Sequence, residues 1–202
     1  MDLKKALRQL EMLEKYSSGM RLAAERWDAP WKTLIAIILS ARSRDEKTIE
    51  VAIDLFKKYP NIGKLANAKL GDIENSIRQI NFYKTKARNV LGCTKVLVKN
   101  YNGNPPHDMD KLLELPGVGR KTANVFLSES GKDAIGVDTH VSYVSRKLGW
   151  TENTNPEKIE TDLKRLFPQK YWRKINPILV RFGKSYTSEK RKNVILEKIK
   201  RM

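Results

Sequence analysis

Apolar residues recur at the spacing of an α-helix along most of this chain, and that period constrains its fold more than any other feature. The period is clear in residues 3–13, 49–56 and 90–97. The sustained apolar and polar alternation of a half-buried strand is missing. Segments rich in proline, glycine and asparagine, such as residues 59–63 and 102–106, separate the helical stretches. The sequence therefore predicts an all-α protein of about ten helices.

Residues 110–129 predict two helices joined by a tight turn, a helix-hairpin-helix. Pro116-Gly117-Val118-Gly119 forms the tight turn, which needs the positive φ that glycine adopts. The glycines also leave room for a nucleic-acid backbone, whose phosphate the amides at the start of the second helix could bind. The alternative is an ordinary glycine-closed turn. The candidate DNA-binding residues here are Leu115, Gly117, Val118, Gly119 and Arg120.

Lys121 and Asp138 are the candidate catalytic residues. Lys121 falls in the first turn of the second helix, where the helix dipole and Arg120 should lower its pKa. A free amine can attack an electrophilic sugar carbon and form a Schiff base. Asp138 directly precedes a predicted helix over residues 139–148, so it is an N-cap, a catalytic carboxylate or both.

The charge of the chain indicates a polyanionic partner. It carries 40 Lys and Arg residues against 23 Asp and Glu residues, a formal net charge of +17. A membrane is not expected as the partner, because no segment approaches the roughly 20 apolar residues that span a bilayer. No N-terminal stretch has the parts of a secretory signal, so we expect a cytoplasmic, nucleoid-associated protein.

Four motifs resemble those of the endonuclease III family of helix-hairpin-helix DNA glycosylases. They are LIAIILSARSRDEKT from Leu34, INFYKTKARNV from Ile80, LPGVGRKTANV from Leu115 and VDTHV from Val137. Their order and spacing match over roughly residues 31–149. Four motifs in register are more specific than one hairpin.

The resemblance implies a bifunctional glycosylase and lyase. Lys121 would attack C1′ of a damaged nucleotide, the base would leave, and β-elimination would cut the strand on its 3′ side. Asp138 would match the essential aspartate, which assists deprotonation of the amine and stabilises the charge that develops on the sugar. His140 also matches a family motif, and we expect it to be a structural partner near Asp138 as well as a candidate DNA contact.

Arg42 and Phe82 match two family positions that act on the duplex once the target nucleotide has been flipped out. Arg42 corresponds to a polar residue, commonly glutamine, that fills the gap, and Phe82 corresponds to a hydrophobic wedge. Flipping costs a few kcal/mol of unstacking, which such side chains help to offset. The alternatives are a solvated arginine and a core aromatic.

The cysteine count departs from the family pattern. Many relatives hold a [4Fe-4S] cluster after the segment that matches residues 179–183, but Cys93 is the only cysteine in this sequence. We therefore expect no iron-sulfur cluster and no other cofactor. The two histidines give no zinc spacing, so no metal ligands are assigned. The family leaves open a monovalent cation bound by the hairpin carbonyls.

The family also implies two helical lobes with a DNA-binding cleft between them. Residues 30–130 would form the central lobe with the hairpin, and residues 1–29 with 131–202 would form the second. A final basic helix is predicted around residues 188–200. It is either exposed surface or a helix that lies along phosphates in place of the cluster loop.

The favoured function is removal of damaged, mainly oxidised, pyrimidines in base excision repair. The expected partner is double-stranded DNA with damaged bases or abasic sites, bound by a monomer. The alternatives are a glycosylase for mismatched uracil or thymine and a noncatalytic helix-hairpin-helix protein. Lys121 argues against a purely monofunctional enzyme, since monofunctional members lack lysine at that position.

Overall fold

Twelve α-helices and one short 3₁₀ helix make up the computed structural model, which describes residues 2–202, and no β-strand occurs in that range. The all-α prediction is confirmed. The helices are α1 (Leu3–Lys15), α2 (Pro30–Ser40), α3 (Asp45–Lys58), α4 (Ile62–Ala66), α5 (Leu70–Ile77), α6 (Tyr83–Tyr101), α7 (Met109–Leu113), α8 (Arg120–Glu129), α9 (Thr139–Leu148), α10 (Pro156–Leu166), α11 (Trp172–Ser185) and α12 (Glu189–Arg201). The 3₁₀ helix Gln169–Tyr171 precedes α11.

Local sequence chemistry explains where several helices begin. Pro30 and Pro156 stand at the first positions of α2 and α10, where a missing backbone N–H costs nothing. The side chain of Asn155 accepts hydrogen bonds from the amides of Glu157 and Lys158 at 2.9 and 3.2 Å. The side chain of Ser188 caps α12 in the same way. These starts were therefore predictable from the sequence.

The chain divides into two compact units, one of residues 2–20 with Gly131–Met202 and one of Arg21–Ser130. The sequence analysis placed the first boundary at Pro30. The structure assigns the preceding residues to the Arg21–Ser130 unit because Trp27 packs edge-on against Phe56 of α3, with ring centroids 5.0 Å apart.

Helix α2 lies at the centre of the Arg21–Ser130 unit. Its residues 34–39 are at most 3% exposed, and the helix packs against α3, α6 and α8. Burial of each leucine or isoleucine side chain among them contributes about 1.5–3 kcal/mol. Helices α4 and α5 pack against α6, and α7 packs against α8. Helix α8 thus joins the hairpin to the buried helix α2.

The other unit is built around α9 and α11. Helix α9 packs against α11 and α12, and α1 packs against the same two helices. Gln9 and Trp150 join α1 to the end of α9 through a buried hydrogen bond of 2.7 Å. Within the described residues, no helix is both long and apolar enough to cross a bilayer.

Candidate active site and nucleic-acid interface

The hairpin runs from α7 to α8. Helix α7 is shorter than predicted and ends at Leu113. A tight turn follows, in which the amide of Val118 donates to the carbonyl of Leu115 at 3.0 Å. Leu115 and Val118 are 2% and 6% exposed, so their side chains support the turn from within the unit and are not presented to a ligand.

Glycine suits positions 117 and 119 of the hairpin for different physical reasons. Gly117 has φ +80°, and a Cβ atom there would lie 2.7 Å from the Cβ atom of Asn89 in α6. Gly119 has φ −95°, so of the two hairpin glycines only Gly117 has the positive φ that the turn needs. A Cβ atom at Gly119 would meet no protein atom within 4 Å. A side chain at Gly119 would therefore intrude only on the space outside the hairpin.

Helix α8 begins without a side-chain cap. Gly119 is its N-cap residue and provides no side-chain acceptor, and the first turn contains no acidic residue. Arg120 is exposed in this turn, and Lys121 is half-buried beside it. A helix start of this kind presents backbone donors and positive potential to an anion. Its open surface at Gly119 suits the approach of a phosphate.

Asp138 is the N-cap of α9, which was one of the roles that the sequence left open. Its Oδ1 atom accepts a hydrogen bond from the amide of Val141 at 2.9 Å. The cap occupies one carboxylate oxygen, and the side chain is half-buried. A second function of the carboxylate is therefore compatible with the cap.

His140 lies in the first turn of α9 and faces α11. A Cβ atom added to Gly183 of α11 would lie 2.3 Å from Nδ1 of His140. Any side chain larger than hydrogen at position 183 would displace the imidazole. The structure thus gives His140 a packing contact within the unit that also contains Asp138.

Arg42 and Phe82 lie far apart in sequence, and the structure brings them together. The Arg42 guanidinium carbon is 5.0 Å from the centroid of the Phe82 ring. The carbonyl of Arg42 also accepts a hydrogen bond of 2.9 Å from the side-chain amide of Asn81. Phe82 is 57% exposed, so the alternative of a core aromatic is wrong.

The sequence analysis missed Lys86, which is buried beside these two residues. Its Nζ atom donates to Oγ of Ser43 at 2.9 Å, and its side chain is part of the buried face of α6. Burial lowers the pKa of Lys86 to about 8. The only sequence clue was its position, since residues 86, 90, 93 and 97 follow the helical period of that face.

The other unit carries a basic surface on α9 and α12. The hydroxyl of Tyr143 donates to the side chain of Asn193, and the amines of Lys147 and Lys192 lie 5.7 and 5.6 Å from the centroid of its ring. Leu196 and Ile199 are the buried residues of α12. The final helix is therefore anchored on one side and exposes basic residues elsewhere.

Comparison with known proteins identifies the family. Residues 35–169 match the model of the HhH-GPD superfamily of base excision DNA repair proteins. Endonuclease III of Thermotoga maritima is 41% identical over 156 residues, which cover 77% of this chain and 73% of that protein. Endonuclease III of Synechocystis sp. is 37% identical over 178 residues, covering 87% and 81%.

The likeness extends to three dimensions. A solved structure of a trapped endonuclease III–DNA covalent intermediate superposes with a TM-score of 0.84 at 33% identity, and the match covers 93% of this chain and 89% of that one. A structure of a non-covalent endonuclease III–DNA complex gives a TM-score of 0.85 over 94% and 89%. The chain belongs to the HhH-GPD superfamily of base excision DNA repair proteins.

Proposed function

We propose that this protein is a bifunctional DNA glycosylase and abasic-site lyase of base excision repair. The observation that carries the proposal is Lys121 in the first turn of α8, two residues after Gly119, the N-cap residue that gives this helix no side-chain cap. The amine and the phosphate-binding start of the helix thus share one turn. The endonuclease III relatives and the solved structure of a trapped endonuclease III–DNA covalent intermediate support this function.

Lys121 is the nucleophile in this proposal. Its neutral amine attacks C1′, the bond from C1′ to the base breaks, and the base takes up a proton as it leaves. Loss of the amine proton and opening of the sugar ring yield a Schiff base at C1′. Removal of a C2′ proton then expels the 3′ phosphate by β-elimination, and water releases the lysine.

Asp138 supplies the negative charge for these steps. Its carboxylate stabilises the positive charge that develops on the sugar as the base leaves, and it assists loss of the proton from the amine. The hydrogen bond to Val141 fixes the rotamer of the side chain while it does so. The hairpin amides hold the strand by its phosphates without reading the sequence.

Arg42 and Phe82 act on the duplex in this proposal. The cationic side chain fills the gap that the flipped nucleotide leaves, and the exposed ring wedges between the neighbouring bases. Their exposure and their shared location in the Arg21–Ser130 unit support a joint function. Damaged pyrimidines, with oxidised bases foremost, are the proposed substrates, and the protein is proposed to act as a monomer.

We also propose that the chain works without an iron-sulfur cluster. Four thiolates are needed and the sequence supplies one. Cys93 is fully buried in α6, where burial raises the pKa of its thiol to about 12. The residues between α11 and α12 contain no thiol. These residues do not fit a cluster, and the proposed steps need none. A monovalent cation at the hairpin stays a prediction.

Borohydride trapping on an abasic-site duplex tests the proposed function. Borohydride reduces the Schiff base, so the wild-type protein should become covalently attached to the DNA. Lys121→Ala should give no adduct, because alanine has no amine. Lys132→Ala, which removes an exposed lysine outside the hairpin, is the matched control and should trap normally. An adduct that persists in Lys121→Ala would place the nucleophile elsewhere. A wild-type protein that binds but never traps would be a noncatalytic DNA-binding protein.

A further inference from the structure

Two loops of the Arg21–Ser130 unit are joined by a lysine for which the proposed reaction has no use. The first loop, residues 41–44, links α2 to α3, and the second, residues 81–82, precedes α6. Lys86 contacts both. Its amine donates to Oγ of Ser43 at 2.9 Å in the first loop. Its place in the first turn of α6 ties it to the second loop, because its backbone amide makes the opening helical hydrogen bond to the carbonyl of Phe82 at 3.0 Å.

Packing alone does not explain a lysine at this position. Lys86 is 5% exposed and shares its helix face with Ala87, Val90 and Cys93. Removing an ammonium group from water is costly unless it gains compensating contacts, and an apolar side chain of similar length would avoid that cost. The lowered pKa of Lys86 reflects this burial. Because burying the Lys86 ammonium costs free energy, we infer that its hydrogen bond to Ser43 has a function.

The hydrogen bond from Lys86 lies next to two residues with a strained backbone, one in each loop. Arg42 has φ +54° and Phe82 has φ +58°. This left-handed conformation is unfavourable for residues other than glycine. Such residues persist only where their surroundings fix them. Ser43 directly follows Arg42, and Asn81 directly precedes Phe82 and binds the carbonyl of Arg42. The two hydrogen bonds from Lys86 and Asn81 thus fix both residues at once.

We propose that Lys86, through Ser43, is the positioning residue that presets Arg42 and Phe82 for entry into duplex DNA. The inference rests on the proposed function of these two residues. With both loops fixed before binding, less conformational entropy is lost when the side chains enter the stack. The benefit is confined to duplex DNA, because a single strand has no base pair to break and no gap to fill.

Four variants test the inference. Lys86→Met keeps the length of the side chain and removes the donor, Ser43→Ala removes the acceptor, and the double variant removes both. Lys84→Met, which changes an exposed lysine in the same turn of α6, is the matched control. Each protein is mixed with an abasic-site duplex or the same abasic strand alone, and the rate of borohydride-trapped adduct is measured in single turnover.

We expect Lys86→Met and Ser43→Ala each to slow trapping on the duplex about tenfold, the scale of one lost hydrogen bond to a charged group. Trapping on the single strand should not change. The double variant should be no slower than either single variant, because both remove one interaction. Phe82→Ala should show the same pattern, with slower trapping on the duplex and an unchanged rate on the single strand.

A spectroscopic signature separates positioning from folding. With 2-aminopurine opposite the abasic site, binding of the wild-type protein should change the fluorescence of the base as side chains enter the gap. Lys86→Met should bind with a smaller change, although its thermal midpoint should not fall, since a buried charge has been removed.

Equal slowing on both DNA forms, additive single variants or an unaltered 2-aminopurine response would overturn the inference. Wild-type protein that traps on neither DNA would instead contradict the proposed function. The two failures are therefore distinguishable.

Discussion

A single carboxylate can cap a helix and also serve a reaction. Asp138 is the N-cap of α9, and the proposed function gives it the second task as well. The cap needs one acceptor oxygen, and either an aspartate or an asparagine can provide it. Stabilising a developing positive charge needs the negative charge itself. The two tasks can therefore be separated by one substitution.

Asp138→Asn should retain the fold and lose most of the base-excision rate. Asparagine preserves the acceptor for the amide of Val141, so the free energy of unfolding should change by less than about 0.5 kcal/mol. Loss of the charge should slow excision by about 10²-fold or more, as is typical of general acid and base groups. Single-turnover excision and urea unfolding measure the two effects. Excision at the wild-type rate would leave Asp138 as a cap alone.

Residues that act through strain or burial could not be recognised from sequence. Arg42 and Phe82 were candidates because of their motifs, but their stacking and positive φ depend on two loops that meet only in the fold. The burial of Lys86 and its contact with Ser43 could not be predicted for the same reason. Its hydrogen-bond partner, Ser43, lies 43 positions away in the sequence.

The hairpin and the final helix contrast at the scale of the element. The sequence specified α8 to the residue, since Gly119 and the following helix formers define its start. For α12 the sequence left two roles open. The structure anchors α12 on α9, the helix that Asp138 caps, and so places its basic residues in the same unit as that carboxylate.

Three exposed lysines of α12 should contribute to the salt dependence of DNA binding. If Lys190, Lys198 and Lys200 lie along phosphates, replacing them with alanine should make the slope of log K against log salt shallower by roughly 0.9 per lost contact. The control replaces Lys57, Lys64 and Lys69, which are exposed in the other unit. Binding measured by fluorescence anisotropy over a salt series gives the slope. A slope identical to that of the wild type would make α12 an exposed surface without a DNA contact.

At the scale of the whole molecule, a net charge of +17 favours binding to a polyanionic partner but does not by itself stabilise the folded state.

Two buried groups make the free energy of unfolding depend on pH. Burial lowers the pKa of Lys86 from 10.5 to about 8 and raises the pKa of Cys93 from 9.0 to about 12. Above about pH 8 the folded protein loses the Lys86 proton that the unfolded chain keeps, so the contribution of Lys86 to the free energy of unfolding rises with pH until about 10.5. Above about pH 9 the unfolded chain loses the Cys93 proton that the folded protein keeps, so the contribution of Cys93 falls and offsets that of Lys86 where the two ranges overlap.

Comparison with Lys86→Met should isolate the lysine, because Cys93 is common to both proteins. The free energy of unfolding of the wild type should rise relative to the variant between about pH 8 and about pH 10.5, by up to about 3 kcal/mol. Urea unfolding at several pH values measures the difference. A difference that stays constant over this range would mean that the amine keeps its ordinary pKa in the folded protein.

The sequence alone determined what depends on neighbours along the chain: helix periods, caps such as Asn155, the hairpin turn at Gly117 and the placement of Lys121 and Asp138 at helix starts. These features follow from backbone sterics and local hydrogen bonds, which act over a few residues. Only the tertiary structure decided the stacking of Arg42 on Phe82, the burial of Lys86 and the contact of His140 with Gly183. Those contacts join distant segments, and their energies exist only after the helices have packed.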